Sequence, residues 1–127
     1  MSVFERKNKA LRLNRTQALN CSPIKNTRVK ATRLDTGEVL LTYPITIRPW
    51  IRTLARRLGR DVNQVQLKKL QLDELGTAVW DLIDEKRSVR QIIKRFVKRY
   101  HLQTREAEVA VTRFVRMLGK RGLIGLK

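Results

Sequence analysis

VQLKKLQLDELGTAVWDLIDEKRSVRQIIKRFVKRY, residues 65–100, changes its period once, and that change decides the fold. Val65 and Leu67, and less cleanly Leu70 and Leu72, alternate with polar residues. A period of two belongs to a strand with one covered face. Lys68-Lys69 breaks the alternation, so an irregularity is expected there. After Asp73, a good N-cap, apolar residues recur at steps of three and four. Leu75, Ala78, Val79, Leu82 and Ile83 form the inner face of a first helix ending near Ile83, with Trp80 at its border. A second helix starts after Ser88, with Val89, Ile92, Ile93, Phe96, Val97 and Tyr100 inward. This is the strongest periodicity in the chain.

Downstream, a third helix starts after Thr104, with Ala107, Ala110, Val111, Phe114, Val115 and Leu118 inward. Glu106 and Glu108 suit its positive N-terminal end, and Lys120 and Arg121 its negative C-terminal end. Gly122 stops it, and Leu123-Ile124 makes a short apolar tail. Upstream, Val29 to Leu34 and Glu38 to Tyr43 read as a hairpin about Asp35-Thr36-Gly37. Val39 and Leu41 share one face of the returning strand, Leu40 and Thr42 the other. Pro49-Trp50-Ile51 opens a short helix ending near Gly59, with Trp50, Ile51, Leu54 and Leu58 on one stripe. Met1 to Ser22 is weakly periodic and leaves two readings, a mobile arm or a segment docked on the body.

Length and charge bound the function. The 127 residues suit one modest core, and 42% hydrophobic content is too high for a disordered basic tail. The net charge of +18 predicts polyanionic or acidic partners. Residues 1–60 carry 14 Lys/Arg against three acids, and residues 61–127 carry 15 against eight. No apolar run spans a membrane and no signal-peptide core is present, so a cytoplasmic protein is expected. One Cys and one His exclude an internal disulfide and fall short of the usual four structural zinc ligands. A Cys21–His101 catalytic pair has no local signature in its support; His101 reads as a C-terminal helix cation.

The segment Leu72-Asp73-Glu74-Leu75-Gly76-Thr77-Ala78-Val79-Trp80-Asp81-Leu82-Ile83-Asp84 continues through Lys86-Arg87-Ser88-Val89-Arg90-Gln91-Ile92-Ile93. With Leu118-Gly119-Lys120-Arg121-Gly122-Leu123-Ile124 it resembles the PqqD-like family, the small peptide chaperones of pyrroloquinoline-quinone biosynthesis and their relatives. The likeness covers about residues 28–127. The usual Asp-Gly turn is Asp84-Glu85 here, which leaves that turn's geometry open. The Pro49–Gly59 helix is an insertion relative to the shortest members.

An α+β fold is therefore expected, winged-helix-like. It has a small three-stranded antiparallel sheet followed by a three-helix bundle, with a short helical insertion before the third strand. Residues 1–27 are expected as a basic N-terminal arm and 28–127 as the peptide-recognition domain. The resemblance implies no catalysis and no cofactor. It implies capture of the leader of a ribosomally made precursor peptide and its presentation to a modifying enzyme, often a radical SAM protein. The leader would add as a strand along the third strand, making Val65, Leu67, Lys68, Lys69 and Gln71 the peptide-binding residues. Val65, Leu67 and Lys69 would share the groove face if alternation holds. The bland reading is an edge guarded by Lys68 and Lys69.

Arg90, Lys94, Arg95, Lys98 and Arg99 form a basic face, either plainly solvated or a site for an acidic partner. The Trp50 helix has features of a membrane-surface helix. It is about three turns long, and packing of Trp50, Leu54 and Leu58 onto the domain is the expected reading. Gly119-Lys120-Arg121-Gly122 matches an RNA-clamping loop but lacks the helix that must follow it. The ranked alternative is a winged-helix nucleic-acid binder, with Glu106 and Glu108 placed to repel phosphates. Whether the chain forms a homodimer stays open.

Overall fold

The computed structural model describes residues 14–46, 48–60 and 65–127. The chain separates into a helical unit, residues 14–27 with 72–127, and a strand unit, residues 28–71.

In chain order the helical unit begins with α1 (Arg15–Asn20) and β1 (Pro23–Lys25). Asn14 and Gln17 close a reciprocal capping box that satisfies backbone N–H groups at the start of α1. Leu19 is buried, and α1 packs on the later helix Val89–Tyr100. Arg15 forms a two-pronged ion pair with Glu108, its Nη2 donating to Oε2 at 2.7 Å. The pair holds the Glu108 carboxyl below its usual pKa. Residues 14–22 thus take the docked reading; Met1 to Leu13 lie outside the described residues.

The strand unit holds β2 (Lys30–Arg33), β3 (Val39–Thr46), α2 (Pro49–Arg57) and β4 (Val65–Gln71). Leu34 and Glu38 close the hairpin, with the Leu34 amide donating to the Glu38 carbonyl at 2.8 Å. The sheet is antiparallel in the order β2-β3-β4. Val39, Leu41 and Tyr43 are buried, while the alternating Leu40, Thr42 and Pro44 are half-buried. The β3–β4 ladder pairs every residue from Leu40↔Gln71 to Thr46↔Val65. The irregularity expected at Lys68-Lys69 is absent: Tyr43 opposes Lys68 and Thr42 opposes Lys69 in unbroken register.

The helical unit resumes with α3 (Glu74–Leu82), α4 (Val89–Tyr100), α5 (Thr104–Lys120) and β5 (Ile124–Leu126). Asp73 caps α3, accepting from the Gly76 amide at 2.7 Å. A Cβ on Gly76 would lie 3.0 Å from Phe114 Cε2, so glycine permits the approach of α5. Ser88 and Gln91 form a capping box on α4, and the Val89 amide donates to the Cys21 carbonyl at 2.8 Å. Gln103, not Thr104, occupies the N-cap of α5; its extended backbone feeds Thr104 in as the first helical residue.

The segment read as an apolar tail is a strand. β5 pairs antiparallel with β1, Ile24 opposite Gly125. Gly122 takes φ +75°, and the Leu123 amide donates back to the Leu118 carbonyl at 2.9 Å. This glycine-dependent cap turns the chain from α5 into β5.

The expected core stands with adjustments. Val79, Ile92, Phe96 and Leu118 are buried, and Leu82 and Phe114 half-buried. Trp80 is buried rather than at a border, with Lys25 Nζ 4.6 Å from its ring centroid. Leu75 is exposed because it sits in the first turn of α3, at the end of the inner stripe. Ala110 is exposed because the inward line of α5 runs Ala107, Val111, Val115, Leu118.

A larger departure concerns α2. Trp50, Leu54 and Leu58 were expected to pack inward, yet they are 62%, 51% and 72% exposed. Arg52 and Ala55 are its half-buried positions, so the helix rests on a flank outside its apolar stripe.

Two stability predictions follow from the helical unit. Phe96 is 1% exposed and packs against Tyr100 with the ring centroids 5.0 Å apart and the rings tilted by 51°. Phe96→Ala is expected to cost about 3–5 kcal/mol in urea denaturation; a loss under about 1 kcal/mol would contradict its core position. Glu85 occupies the left-handed region, φ +69°, which glycine adopts without penalty. The Asp84-Glu85 turn thus keeps a geometry that suits Asp-Gly, with Asp84 Oδ1 accepting from the Arg87 amide at 2.8 Å. Relief of the left-handed penalty, about 1–2 kcal/mol, exceeds the unfolded-state entropy glycine adds. Glu85→Gly is expected to stabilise by up to about 1 kcal/mol, and a destabilised variant would contradict this.

Candidate functional site

β4 has one strand neighbour among the described residues, so its far side is an open edge. Edge strands present unpaired N–H and C=O groups at alternate residues. Register settles which side chains accompany them. Val65, Leu67, Lys69 and Gln71 share a face with Thr46, Pro44, Thr42 and Leu40 of β3. Gln66, Lys68 and Leu70 lie on the other face with Ile45, Tyr43 and Leu41. Of the five residues expected to bind peptide, four are therefore brought onto one face, and Lys68 points away from them.

All of β4 is exposed except Leu70, which is half-buried. Val65 is 52% exposed and Leu67 70%. Two uncovered aliphatic side chains on one face of an edge strand are a liability that Lys68 and Lys69 moderate. Chemically, the edge can form backbone hydrogen bonds with an extended chain and offer it apolar contacts at alternate positions.

The five basic residues of α4, Arg90, Lys94, Arg95, Lys98 and Arg99, are all exposed and share about half of its circumference. Arg99 lies 5.4 Å from the Tyr100 ring centroid. A second basic strip escaped the sequence reading. Arg113, Arg116, Lys120 and Arg121 surround Met117 in a shallow concavity on α5. The spacing of three and four from Arg113 through Arg116 to Lys120 was the available signal; of the four, only Lys120 and Arg121 were singled out, as helix-end charge.

The Cys21–His101 pair does not exist. Cys21 is bonded to the first residue of α4, and His101 is the C-cap of that 12-residue helix. A helix of this length puts them about 18 Å apart. Partial burial also pushes the Cys21 thiol upward, away from the thiolate. His101 takes the left-handed conformation, φ 52°, at the C-cap of α4. Among the described residues no group of three or more His, Cys, Asp or Glu is placed to hold a metal ion. Among them, too, no helix is long and apolar enough to cross a membrane. Gly119 to Gly122 runs into β5, so the clamp-type loop has no helix after it.

Residues 52–124 match the family model for coenzyme PQQ synthesis protein D, PqqD, which is more than half of the chain. The chain belongs to the PqqD family. Its match begins inside α2 and includes β4, α3, α4 and α5. A solved structure, TbiB1 in complex with the TbiA(beta) leader peptide, shares the fold at TM-score 0.55 and 19% identity. That alignment covers 79% of this chain and 92% of TbiB1. None of the curated proteins compared matches the sequence.

Proposed function

We propose that this PqqD-family chain is a non-catalytic adaptor that captures the leader of a ribosomally made precursor peptide. It presents the leader to a modifying enzyme, a radical SAM protein being the first candidate. The observation that carries this reading is the open edge of β4, with Val65 and Leu67 uncovered on one face. The family membership and the leader-bound fold neighbour support it. In this reading the leader adds antiparallel or parallel to β4 as a fourth strand. Backbone hydrogen bonds supply affinity, and Val65, Leu67, Lys69 and Gln71 select its side chains.

The basic face of α4 favours acidic leader residues and steers their approach. A winged-helix arrangement of the sheet and α3–α5, and a cytoplasmic site of action beside the ribosome, belong to the same proposal.

The test is titration calorimetry with short precursor peptides encoded beside this chain's gene. Leu67→Pro removes a backbone donor and stiffens the edge. It is expected to abolish binding while circular dichroism stays unchanged. Arg95→Glu with Lys98→Glu is expected to weaken binding about tenfold or less, chiefly through association rate. Wild-type affinity should fall gently with salt, whereas duplex DNA binding falls steeply as counterions are released. A folded Leu67→Pro variant that binds the peptide normally would overturn strand addition. Tight, sequence-specific DNA binding near physiological salt would replace the adaptor reading with the nucleic-acid one.

A further inference from the structure

We propose that α2 is an interfacial helix that seats this chain on an anionic lipid surface. Among the described residues, nothing covers the apolar stripe of this helix. Trp50, Ile51, Leu54 and Leu58 lie within about 100° of arc on α2 and its first following residue, and all four are exposed. No residue of α2 is buried. Its half-buried positions, Arg52 and Ala55, lie outside that arc, so the helix is held with its apolar stripe outward.

The flanking chemistry selects the occupant. Residues 48–60 contain five arginines, Arg48, Arg52, Arg56, Arg57 and Arg60, and no acid. A second copy of this helix would bring those charges together, which opposes self-association through the stripe. An anionic bilayer satisfies both halves. Leu54, Leu58 and Ile51 enter the acyl boundary, Trp50 sits at headgroup depth, and arginine stems lie along the surface with their heads in water. Each basic residue near an anionic leaflet is worth roughly fivefold in partitioning. At nine residues the helix is about 14 Å long and buries little apolar area. Its apolar face alone therefore binds weakly, and lipid charge is required.

Trp50 is also the reporter: it is exposed, whereas the other tryptophan, Trp80, is buried, so a lipid-induced change in emission is expected from Trp50. Purified full-length chain is mixed with phosphatidylglycerol-rich vesicles and, separately, with phosphatidylcholine vesicles. Binding is read by co-sedimentation, by tryptophan emission and by acrylamide quenching. Expected on the anionic vesicles are sedimentation, a blue shift and loss of quenching, with at least tenfold weaker partitioning on phosphatidylcholine. Leu54→Glu with Leu58→Glu is expected to lose at least tenfold on the anionic vesicles. Arg56→Gln with Arg57→Gln should lose about 25-fold, and Trp50→Phe should remove the spectral change. These positions are exposed, so unchanged circular dichroism is expected, and peptide binding at β4 should persist in all variants.

Equal binding to both lipids, or none to either, would overturn the proposal. So would a Trp50 already shielded from acrylamide before lipid is added. A dimer in sedimentation velocity that the Leu54→Glu, Leu58→Glu variant dissolves would assign the stripe to a second copy instead.

Discussion

A strand with one neighbour leaves alternate backbone amides and carbonyls without a protein partner, and water satisfies them only while nothing better arrives. Among the described residues β4 is such a strand. Its pairing with β3 is complete over seven residues, which fixes the face on which every side chain stands. A one-residue slip would exchange Val65, Leu67 and Lys69 for Gln66, Lys68 and Leu70. Leu41, buried opposite Leu70, resists that slip, because it would bring a polar residue opposite a fully covered side chain. The face that the edge presents therefore rests on a core residue in the neighbouring strand.

The helical unit has a different anchor. α4 carries the buried run Val89, Ile92, Ile93 and Phe96, against which α1, α3 and α5 pack. Its first amide is held by Cys21, its last turn closes on His101, and Ser88 and Gln91 complete its cap. The β1–β5 ribbon ties together two segments of the unit that lie about a hundred residues apart in sequence. An ordered, outward-facing row of five cations on α4 costs the unit little, because the inner half of that helix does the packing.

Much of this was legible beforehand because strong periodicity is local. β4 and the helices α3 to α5 follow from alternation, from steps of three and four, and from the caps at Asp73 and Ser88. What escaped depends on partners far away. Leu123-Ile124 carries no period long enough to announce a strand, and its mate Pro23–Lys25 is as short. Amphipathicity shows that α2 has an apolar side but not that this side faces inward; Ala55 and Arg52 settle the matter in the other direction. At Glu85 the residue type argued against a left-handed turn, and the Asp84 carboxylate bonding to two following amides enforces it anyway. For the candidate edge, sequence alternation put Val65, Leu67 and Lys69 on one face, and the register places Gln71 on that same face and Lys68 on the opposite one.

The central claim is that an extended guest completes the sheet along β4. Amide hydrogen exchange resolved to single residues, with and without bound precursor peptide, tests it most directly. The account predicts that the β4 amides pointing away from β3, which exchange fast in the free protein, become protected when the peptide binds, while those already bonded to β3 change little. Peptide binding that leaves every β4 amide as exchangeable as before, with protection appearing elsewhere, would contradict it.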